Sequence, residues 1–225
     1  MIFTESELCF LNNISKGDSL FGVHFPTYGE DRHRRYVGEI VHSLKNKGVL
    51  SAEGKLRNVG AVPIYLLEQY KQASQHVLLN HMKIALLPKG KLVTIVPVEE
   101  QYDLAIVNAV TFWAQLVTYF DYLCKTDIGK EAVNTDYMDY ELWHKGFQQY
   151  EERHLLVGRF YEKKVLEEKI LYWDNHNGYS YDIHKGEQKK MGPRAMRMYL
   201  MEILNINMSA YGAEKQGDTE QAAKI

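Results

Sequence analysis

The nine histidines are the side chains of this chain best suited to bind a metal ion. His76 and His81 lie five positions apart in a segment whose pattern predicts a strand, so their side chains point to opposite faces and do not converge. His33 and His42 lie nine positions apart on a predicted helix, too far to share one ion. We therefore expect no metal site, and structural or surface roles for the histidines.

Two cysteines, Cys9 and Cys124, are the candidate nucleophiles. Both lie in apolar segments that predict helices, where a thiol is usually a core residue. The sequence contains no GxSxG motif and neither of the glycine-rich phosphate-binding motifs, GxxxxGK[ST] and GxGxxG. The acidic pairs at 99–100, 151–152 and 167–168 are typical of solvated or helix-starting charges. We therefore predict no catalytic residue, no cofactor and no enzymatic activity, and expect a protein that works by binding.

The basic residues show one local cluster, formed by Arg32, Arg34 and Arg35 at the start of a predicted helix. Three short helices followed by a hairpin is also the outline of a winged-helix DNA-binding domain. The chain as a whole has 27 basic and 29 acidic residues, for a net charge of -2, whereas proteins held on nucleic acid by phosphate contacts usually carry a basic excess. The cluster fits either a DNA groove or an acidic protein surface, and the overall charge disfavours nucleic acid.

The compartment is predicted from the first residues and from the cysteine content. Glu5 and Glu7 interrupt the segment that would be the apolar region of a signal peptide. No apolar stretch approaches the ~18 uninterrupted residues of a membrane span. Two cysteines in apolar segments fit a reducing compartment better than a disulfide framework. We expect a cytoplasmic protein without a membrane partner.

Because no group of residues predicts a catalytic or metal site, we turn to the predicted helices and strands and to the surfaces that they present. Thr4 and Glu7 form a capping box that predicts a first helix ending near Asn13. Gly48 is predicted to end a second helix, and Pro63 suits the first turn of a third. The predicted elements of this half are helices at 4–13, 31–47 and 63–74, a hairpin with strands at 76–87 and 91–98, and a long helix at 99–124.

The second part of the chain predicts a similar order of elements. Asn177-Gly178 is the strongest hairpin signal, because a type I′ turn needs two residues with positive φ. The predicted elements are a helix at 136–152, strands at 154–161, 165–175 and 179–184, and a helix at 193–204. We expect one α+β domain over 1–205, with a central antiparallel sheet flanked by helices. Its two helix–hairpin–helix halves, at about 1–125 and 126–205, are expected to have a pseudo-two-fold arrangement, followed by a flexible polar tail at 206–225.

The 16 tyrosines of the chain are the most unusual part of its composition. Tyrosine is enriched in protein interfaces because it joins a rigid apolar ring to a polar tip. Tyr172, Trp173, Tyr179 and Tyr181 in the last predicted hairpin are therefore our candidate partner-binding residues. In an alternating strand one face belongs to the core, so at most half of them can contact a partner.

Three segments of the sequence resemble a known family. They read FTExELxxL at 3–11, LxxxGVLSxxGKL at 44–56 and VTIVP at 93–97. Together with the layout of helices and hairpins, they are similar to the EspG-type and EsaE-type chaperones of type VII secretion systems. The resemblance implies a cytosolic chaperone that holds a helical secretion substrate, keeps it export-competent and delivers it to the secretion ATPase. It implies no cofactor and no catalysed reaction.

Three functional hypotheses follow. The first is a chaperone or adaptor for a helical type VII secretion substrate. The second is a winged-helix-like DNA-binding regulator that uses Arg32, Arg34 and Arg35. The third is an immunity protein that binds and neutralises a toxin. The first and third differ only in the protein that is bound.

Overall fold

A computed structural model of the protein describes residues 1–15, 17, 19–23, 30–126, 135–137, 140–147 and 153–207. The fold is mixed α+β with a large antiparallel sheet, as the sequence predicts. Its helices are α1 (Glu5–Ile14), α2 (Glu30–Asn46), α3 (Asn58–Gln72), α4 (Ala109–Tyr119), α5 (Asp121–Cys124), α6 (Tyr140–Phe147) and α7 (Pro193–Ile203). In the described part of the chain no helix is both long enough and apolar enough to cross a membrane.

The strands are β1 (Ile2–Thr4), β2 (Gln75–Leu79), β3 (Met82–Leu87), β4 (Lys91–Val98), β5 (Gln101–Asn108), β6 (Thr135–Tyr137), β7 (His154–Tyr161), β8 (Lys164–Trp173), β9 (Gly178–Asp182) and β10 (Glu187–Lys190). The chain divides into two compact units, Met1–Val107 with Leu155–Ile170, and Asn108–His154 with Leu171–Ile225. Each unit is therefore discontinuous in sequence, whereas the predicted halves were continuous.

The first unit contains the strand order β1-β5-β4-β3-β2-β7, and the pairs β1–β5, β3–β4, β2–β3 and β2–β7 are antiparallel. Helices α1, α2 and α3 bury their apolar sides against one another and against the strands in a single core. That core contains Phe3, Leu8, Leu11, Leu20, Val23, Leu44, Val49, Leu50, Leu66, Leu67, Tyr70, Ala85, Val93, Ile95 and Leu104.

The helix ends of this unit follow their sequence signals. The predicted capping box is present: Thr4 accepts a bond from the Glu7 N–H, and Glu7 accepts one from the Thr4 N–H. Gly48 has a φ of 72° and ends α2 as predicted, with the Val49 N–H bonded to the Leu44 carbonyl oxygen. Pro63, by contrast, does not open α3, which begins five residues earlier at Asn58. A proline in the second turn removes only one backbone bond, so the helix continues through it.

Two elements predicted in the first part of the sequence are wrong. The segment 76–87 is two strands, because Asn80 adopts a φ of 50° and turns the chain between β2 and β3. The helix predicted at 99–124 is a strand followed by two helices. Glu99, with a φ of 55°, lies in a turn rather than in a helix, and β5 follows. Asn108 then caps α4 by accepting bonds from the Val110 and Thr111 N–H groups.

The second unit contains β9, β10 and β6 in that order, with α4, α5, α6 and α7, and β8 contributes residues to both units. The helix predicted at 136–152 is instead β6 and α6, and residues 148–152 lie outside the described part. The predicted hairpin at Asn177-Gly178 forms, but neither residue has a positive φ. Asp174 makes the turn instead, because its Oδ1 accepts bonds from the His176 and Asn177 N–H groups.

The positive-φ pair expected for a type I′ turn occurs in the preceding connection, between β7 and β8. Glu162 has a φ of 47° and Lys163 a φ of 64°. Helix α7 begins at Pro193 as predicted and ends within one residue of the predicted end. Of the predicted tail at 206–225, residues 208–225 lie outside the described part.

Candidate protein-binding site

The aromatic residues predicted to contact a partner are mostly core residues of the second unit. Tyr172 is 4% exposed, Trp173 5% and Tyr181 0%, while Tyr179 is half-buried. The Trp143 ring of α6 stacks on Tyr181 at 4.4 Å between ring centroids. Tyr179 stacks on Tyr172 at 5.3 Å. These side chains offer little free surface in this structure.

Trp173 is buried against a different group of rings. Its ring stacks on Tyr122 of α5 at 5.7 Å and meets Phe120 edge-on at 5.2 Å. Adjacent residues of a strand point to opposite faces, so Tyr172 faces α6 and Trp173 faces α5. The sequence predicted one exposed face for this hairpin. The structure covers both faces where β8 ends, which explains why these aromatics are inaccessible.

The basic cluster of the winged-helix hypothesis lies on α2. The side chains of Arg32, Arg34 and Arg35 are outside the described part of the structure. A helix that reads bases presents polar groups to base edges, and α3 is the next helix of the winged-helix outline. Val62 and Tyr65 are 45% and 53% exposed on α3, so this helix presents apolar surface. Nothing in the described geometry favours DNA as the partner.

An apolar groove runs along α7 in the second unit. Its volume is about 660 Å³, and methionines are its commonest lining residues. The lining residues in the described part are Met191, Ala195, Met198, Tyr199, Met201, Glu202, Ile206 and Asn207. We call this surface the α7 groove.

The C-terminal end of α7 shapes the groove. Asn205 adopts a φ of 53°, and the chain reverses there. The Asn205 N–H bonds the Glu202 carbonyl at 3.0 Å, and the Ile206 N–H bonds the Met201 carbonyl at 2.9 Å. This pair of bonds is a Schellman motif, which brings the residue after the turn back beside the last helical turn. Ile206 and Met201 therefore line the same groove.

The opposite side of α7 is anchored. Met196 and Leu200 are fully buried. Arg197 donates bonds to the carbonyl oxygens of Leu123 and Lys125, at 2.5 Å and 2.9 Å, so it satisfies the carbonyl end of α5. The groove therefore rests on a fixed helix and is not a product of a loose chain end.

Few charged or polar side chains line the groove. Glu202 is the one charged residue among the described side chains that line it, and Asn207 and Tyr199 add polar atoms. Met198 is 57% exposed, although methionine is a residue that usually lies in cores. Methionine is flexible and polarizable, and it is over-used on surfaces that accept varied apolar partners. The groove is therefore suited to apolar side chains.

A second cleft, of about 440 Å³, lies beside α5 in the same unit. Tyr119 lies on this cleft and is 81% exposed. The basic groups of the cleft are already engaged, because Lys125 bonds the Asn175 carbonyl oxygen and Arg153 bonds the Asn175 side-chain oxygen. Burial raises the pKa of the Asp174 carboxyl, but the bonds from the Asn177 and His176 N–H groups outweigh it and leave that pKa below its usual range. The cleft is a polar, internally paired surface.

The described residues contain no group of three or more His, Cys, Asp or Glu side chains placed to hold a metal ion. Cys9 is half-buried, where burial raises the pKa of its thiol, and Cys124 is exposed. The methionines at 191, 196, 198 and 201 are the signal in the sequence that could have pointed to the α7 groove. The sequence predicts the helix at 193–204, but it does not distinguish the exposed methionine at 198 from the buried ones.

Comparison with known proteins gives one assignment. No curated protein matches the chain. A family model described as Domain of unknown function (DUF5081) matches residues 1–209, which is most of the sequence. The chain therefore belongs to the DUF5081 family.

Proposed function

We propose that the protein is a cytoplasmic chaperone or adaptor that binds an amphipathic helix of a type VII secretion substrate. The proposal joins the resemblance to EspG-type and EsaE-type chaperones, given by the segments at 3–11, 44–56 and 93–97, to the apolar character of the α7 groove. It includes the pseudo-two-fold arrangement of two helix–hairpin–helix halves that the resemblance implies. In this role the protein keeps the client export-competent and uses no cofactor.

The α7 groove is the observation that carries the proposal. An amphipathic helix binds by laying its apolar stripe into a hydrophobic groove, with anchors at i, i+3 or i+4, and i+7. Ala195, Met198, Tyr199 and Glu202 follow that spacing along α7 and all line the groove. A client helix lying beside α7 can therefore pack its stripe against Met198 and place polar residues beside Glu202.

The energetics suit a transient complex. Burying one side chain of the size of methionine contributes roughly 1.5–3 kcal/mol. Two or three such side chains on each partner, reduced by the cost of association, give an affinity that permits release. Methionine also adapts to different client side chains, which suits a chaperone better than a rigid pocket would.

A pair of variants tests the groove. Met198→Glu places a charge in the apolar surface, and Met198→Leu keeps an apolar side chain of similar size. Each form is used as bait in the native host, and the bound proteins are identified by mass spectrometry. We expect the wild type and Met198→Leu to recover a small helical secretion substrate, with or without the secretion ATPase, and Met198→Glu to lose it.

The alternatives give different results in the same experiment. Recovery of a toxin domain whose activity is lost in the complex would indicate an immunity protein instead of a chaperone. Salt-sensitive binding of the purified chain to duplex DNA would support the winged-helix hypothesis instead. Recovery of the same helical substrate by wild type and Met198→Glu would place the client elsewhere and remove the α7 groove from the proposal.

A further inference from the structure

Helix α3 in the first unit carries an exposed apolar row. Leu56 directly before the helix is 44% exposed, and Val59, Val62 and Tyr65 are 59%, 45% and 53% exposed. The helical members lie three positions apart, so they follow one another along one side of two turns. The other side of the helix is packed, since Leu66, Leu67 and Tyr70 are buried in the core. We call Leu56, Val59, Val62 and Tyr65 the α3 row.

The row lies on a fixed part of the chain. A Cβ atom at Gly60 would stand 2.3 Å from the Val49 carbonyl oxygen, so the start of α3 is in direct contact with the segment that follows α2. The Arg57 N–H donates to that same oxygen at 3.0 Å, and Leu50 pairs with Leu56 in an isolated β-bridge. Exposure of the row is therefore a property of the folded unit and not of a frayed helix end.

Charged groups mark the two ends of the row with opposite signs. Lys55 and Arg57 are exposed on either side of Leu56 in the chain. Neither side chain forms a hydrogen bond or an ion pair with any residue that the structure describes. The first turn of α3 has no acidic residue, and Glu68 lies one turn beyond Tyr65 at the other end. The row is thus basic where it begins and acidic where it ends.

This pattern is complementary to itself. When two copies of α3 lie antiparallel about a two-fold axis at Val62, position 59 of one copy faces position 65 of the other. Val59 then packs against the Tyr65 ring of the second copy, and Val62 meets its own counterpart. Lys55 and Arg57 are at the same time brought beside Glu68 of the second copy. One rotation brings Val59, Val62 and Tyr65 into apolar contact and places the charges of opposite sign near one another.

We propose that the α3 row is a homodimer interface in which two chains pair through antiparallel α3 helices. The proposal does not rest on client binding, because the row and the α7 groove belong to different units. Two helical turns bury less than the roughly 1,000 Å² expected of a stable interface. The dimer is therefore weak and forms with increasing protein concentration.

Sedimentation analysis of the full chain over a range of concentrations tests the dimer. Val62→Glu places two carboxylates together on the axis, and we expect it to weaken dimerisation by roughly tenfold or more. Met198→Glu is the matched control, because it makes the same kind of change at a side chain of similar exposure in the α7 groove, and we expect it to dimerise as the wild type does. Circular dichroism of each variant establishes that it is folded.

Charge reversal tests the antiparallel orientation. Glu68→Lys brings like charges together and is expected to weaken the dimer by about fivefold, a typical scale for exposed ion pairs. Adding Lys55→Glu and Arg57→Glu to Glu68→Lys restores opposite charges and is expected to restore dimerisation. A chain that is monomeric at every concentration overturns the proposal, as does a dimer that Val62→Glu leaves unchanged. Loss of client recovery by Met198→Glu with dimerisation intact separates the two proposals.

Discussion

The Nζ atom of Lys47 lies 2.6 Å from Oε2 of Glu7, although only 1% of Glu7 is exposed. The same carboxylate accepts bonds from Ser43 Oγ at 2.6 Å and from the Thr4 N–H at 2.7 Å. Lys47 also donates to the Ile2 carbonyl oxygen at 3.0 Å. One carboxylate therefore joins the start of α1 to the end of α2 and, through Lys47, to β1.

Removing the Glu7 charge is predicted to destabilise the first unit. Glu7→Gln keeps the shape of the side chain but leaves Lys47 without its carboxylate and replaces one acceptor by an NH2 group. We expect the free energy of unfolding to fall by about 2 kcal/mol, less than for a fully buried ion pair because the Lys47 side chain is 33% exposed and can be solvated. Urea unfolding of Glu7→Gln and of Glu7→Gln with Lys47→Met measures it, and a smaller loss in the double variant is expected because no cation is left unpaired. Equal losses would mean that the unpaired Lys47 carries no cost in Glu7→Gln.

The pH dependence of stability follows from the same carboxylate. Burial raises the pKa of Glu7, but the bonds from Lys47, Ser43 and the Thr4 N–H outweigh it, so that pKa lies below its ordinary value of 4.5. A lowered pKa in the folded state contributes stability that is present above pH 4.5 and is lost as the pH falls through the folded value. Unfolding free energies measured between pH 7 and pH 3 are expected to fall less steeply for Glu7→Gln than for the wild type in the acidic range. Parallel profiles would contradict this.

Burial of His76 is predicted to cause a second loss of stability, at a higher pH than the loss that Glu7 causes. It is 2% exposed, its Nε2 lies 2.9 Å from the Tyr70 carbonyl oxygen, and Phe21 and Tyr70 contact its ring. Burial lowers the pKa of this imidazole below 6.5, and Lys163 adds to the effect against the opposing bond to Tyr70. The neutral ring is therefore the stable form when folded, and stability is lost as the pH falls from 6.5 toward the folded value.

The difference between His76→Leu and the wild type isolates this contribution. The variant lacks the titrating group, so the gap in unfolding free energy between the two proteins is expected to shift in favour of the variant as the pH falls below 6.5. Taking the difference removes the contribution of the other histidines to the pH dependence, because both proteins contain them. A gap that stays constant from pH 8 to pH 5 would show that His76 does not titrate differently in the folded state.

Two glycines give a matched test of the contact between α3 and the segment after α2. A Cβ at Gly60 would lie 2.3 Å from the Val49 carbonyl oxygen and 2.9 Å from Leu56 Cδ1, whereas a Cβ at Gly38 on α2 would meet no atom within 4 Å from the described residues beyond its own stretch of helix. We expect Gly60→Ala to lose about 1–3 kcal/mol through this overlap. Gly38→Ala should gain about 0.5–1 kcal/mol from helix propensity. Thermal unfolding of both variants checks the contrast, and a neutral Gly60→Ala would mean that the contact is loose.

Local signals in the sequence predicted local structure well. Thr4 with Glu7 and Gly48 mark helix ends through bonds made within a few residues, Pro193 marks one through its fixed φ, and each is found where it was predicted. The Asn177-Gly178 signal predicted a hairpin correctly but not its turn, because the neighbouring Asp174 carboxylate provides a competing set of bonds.

The errors arose where one pattern fits two structures. The segment Gln101–Asn108 is apolar enough to extend the helix that follows it, and its place in the sheet between β4 and β1, the latter about 100 residues away in sequence, makes it a strand. The burial of Tyr172 and Tyr181 depends in the same way on Trp143 of α6, which no short-range pattern places over them. The exposure of Met198 beside buried Met196 likewise follows from how α7 is anchored, so the candidate site could not be read from composition.

Asn205 connects the stability of α7 to the shape of the groove. Its φ of 53° lies in the left-handed region, which glycine adopts without cost and which a β-branched residue resists. We expect Asn205→Gly to leave stability unchanged or to raise it by a few tenths of a kcal/mol, and Asn205→Val to lower it by about 1–2 kcal/mol. Urea unfolding measures both changes.

The same pair of variants also tests whether the Schellman turn supports binding. Asn205→Val displaces Ile206 from its position beside Met201, so it is expected to weaken recovery of the helical client while Asn205→Gly retains it. Both pull-downs are made at a temperature at which circular dichroism shows each variant folded, which removes global unfolding as the cause of any loss. Equal recovery by the two variants would mean that the turn closes α7 without shaping the surface that the client contacts.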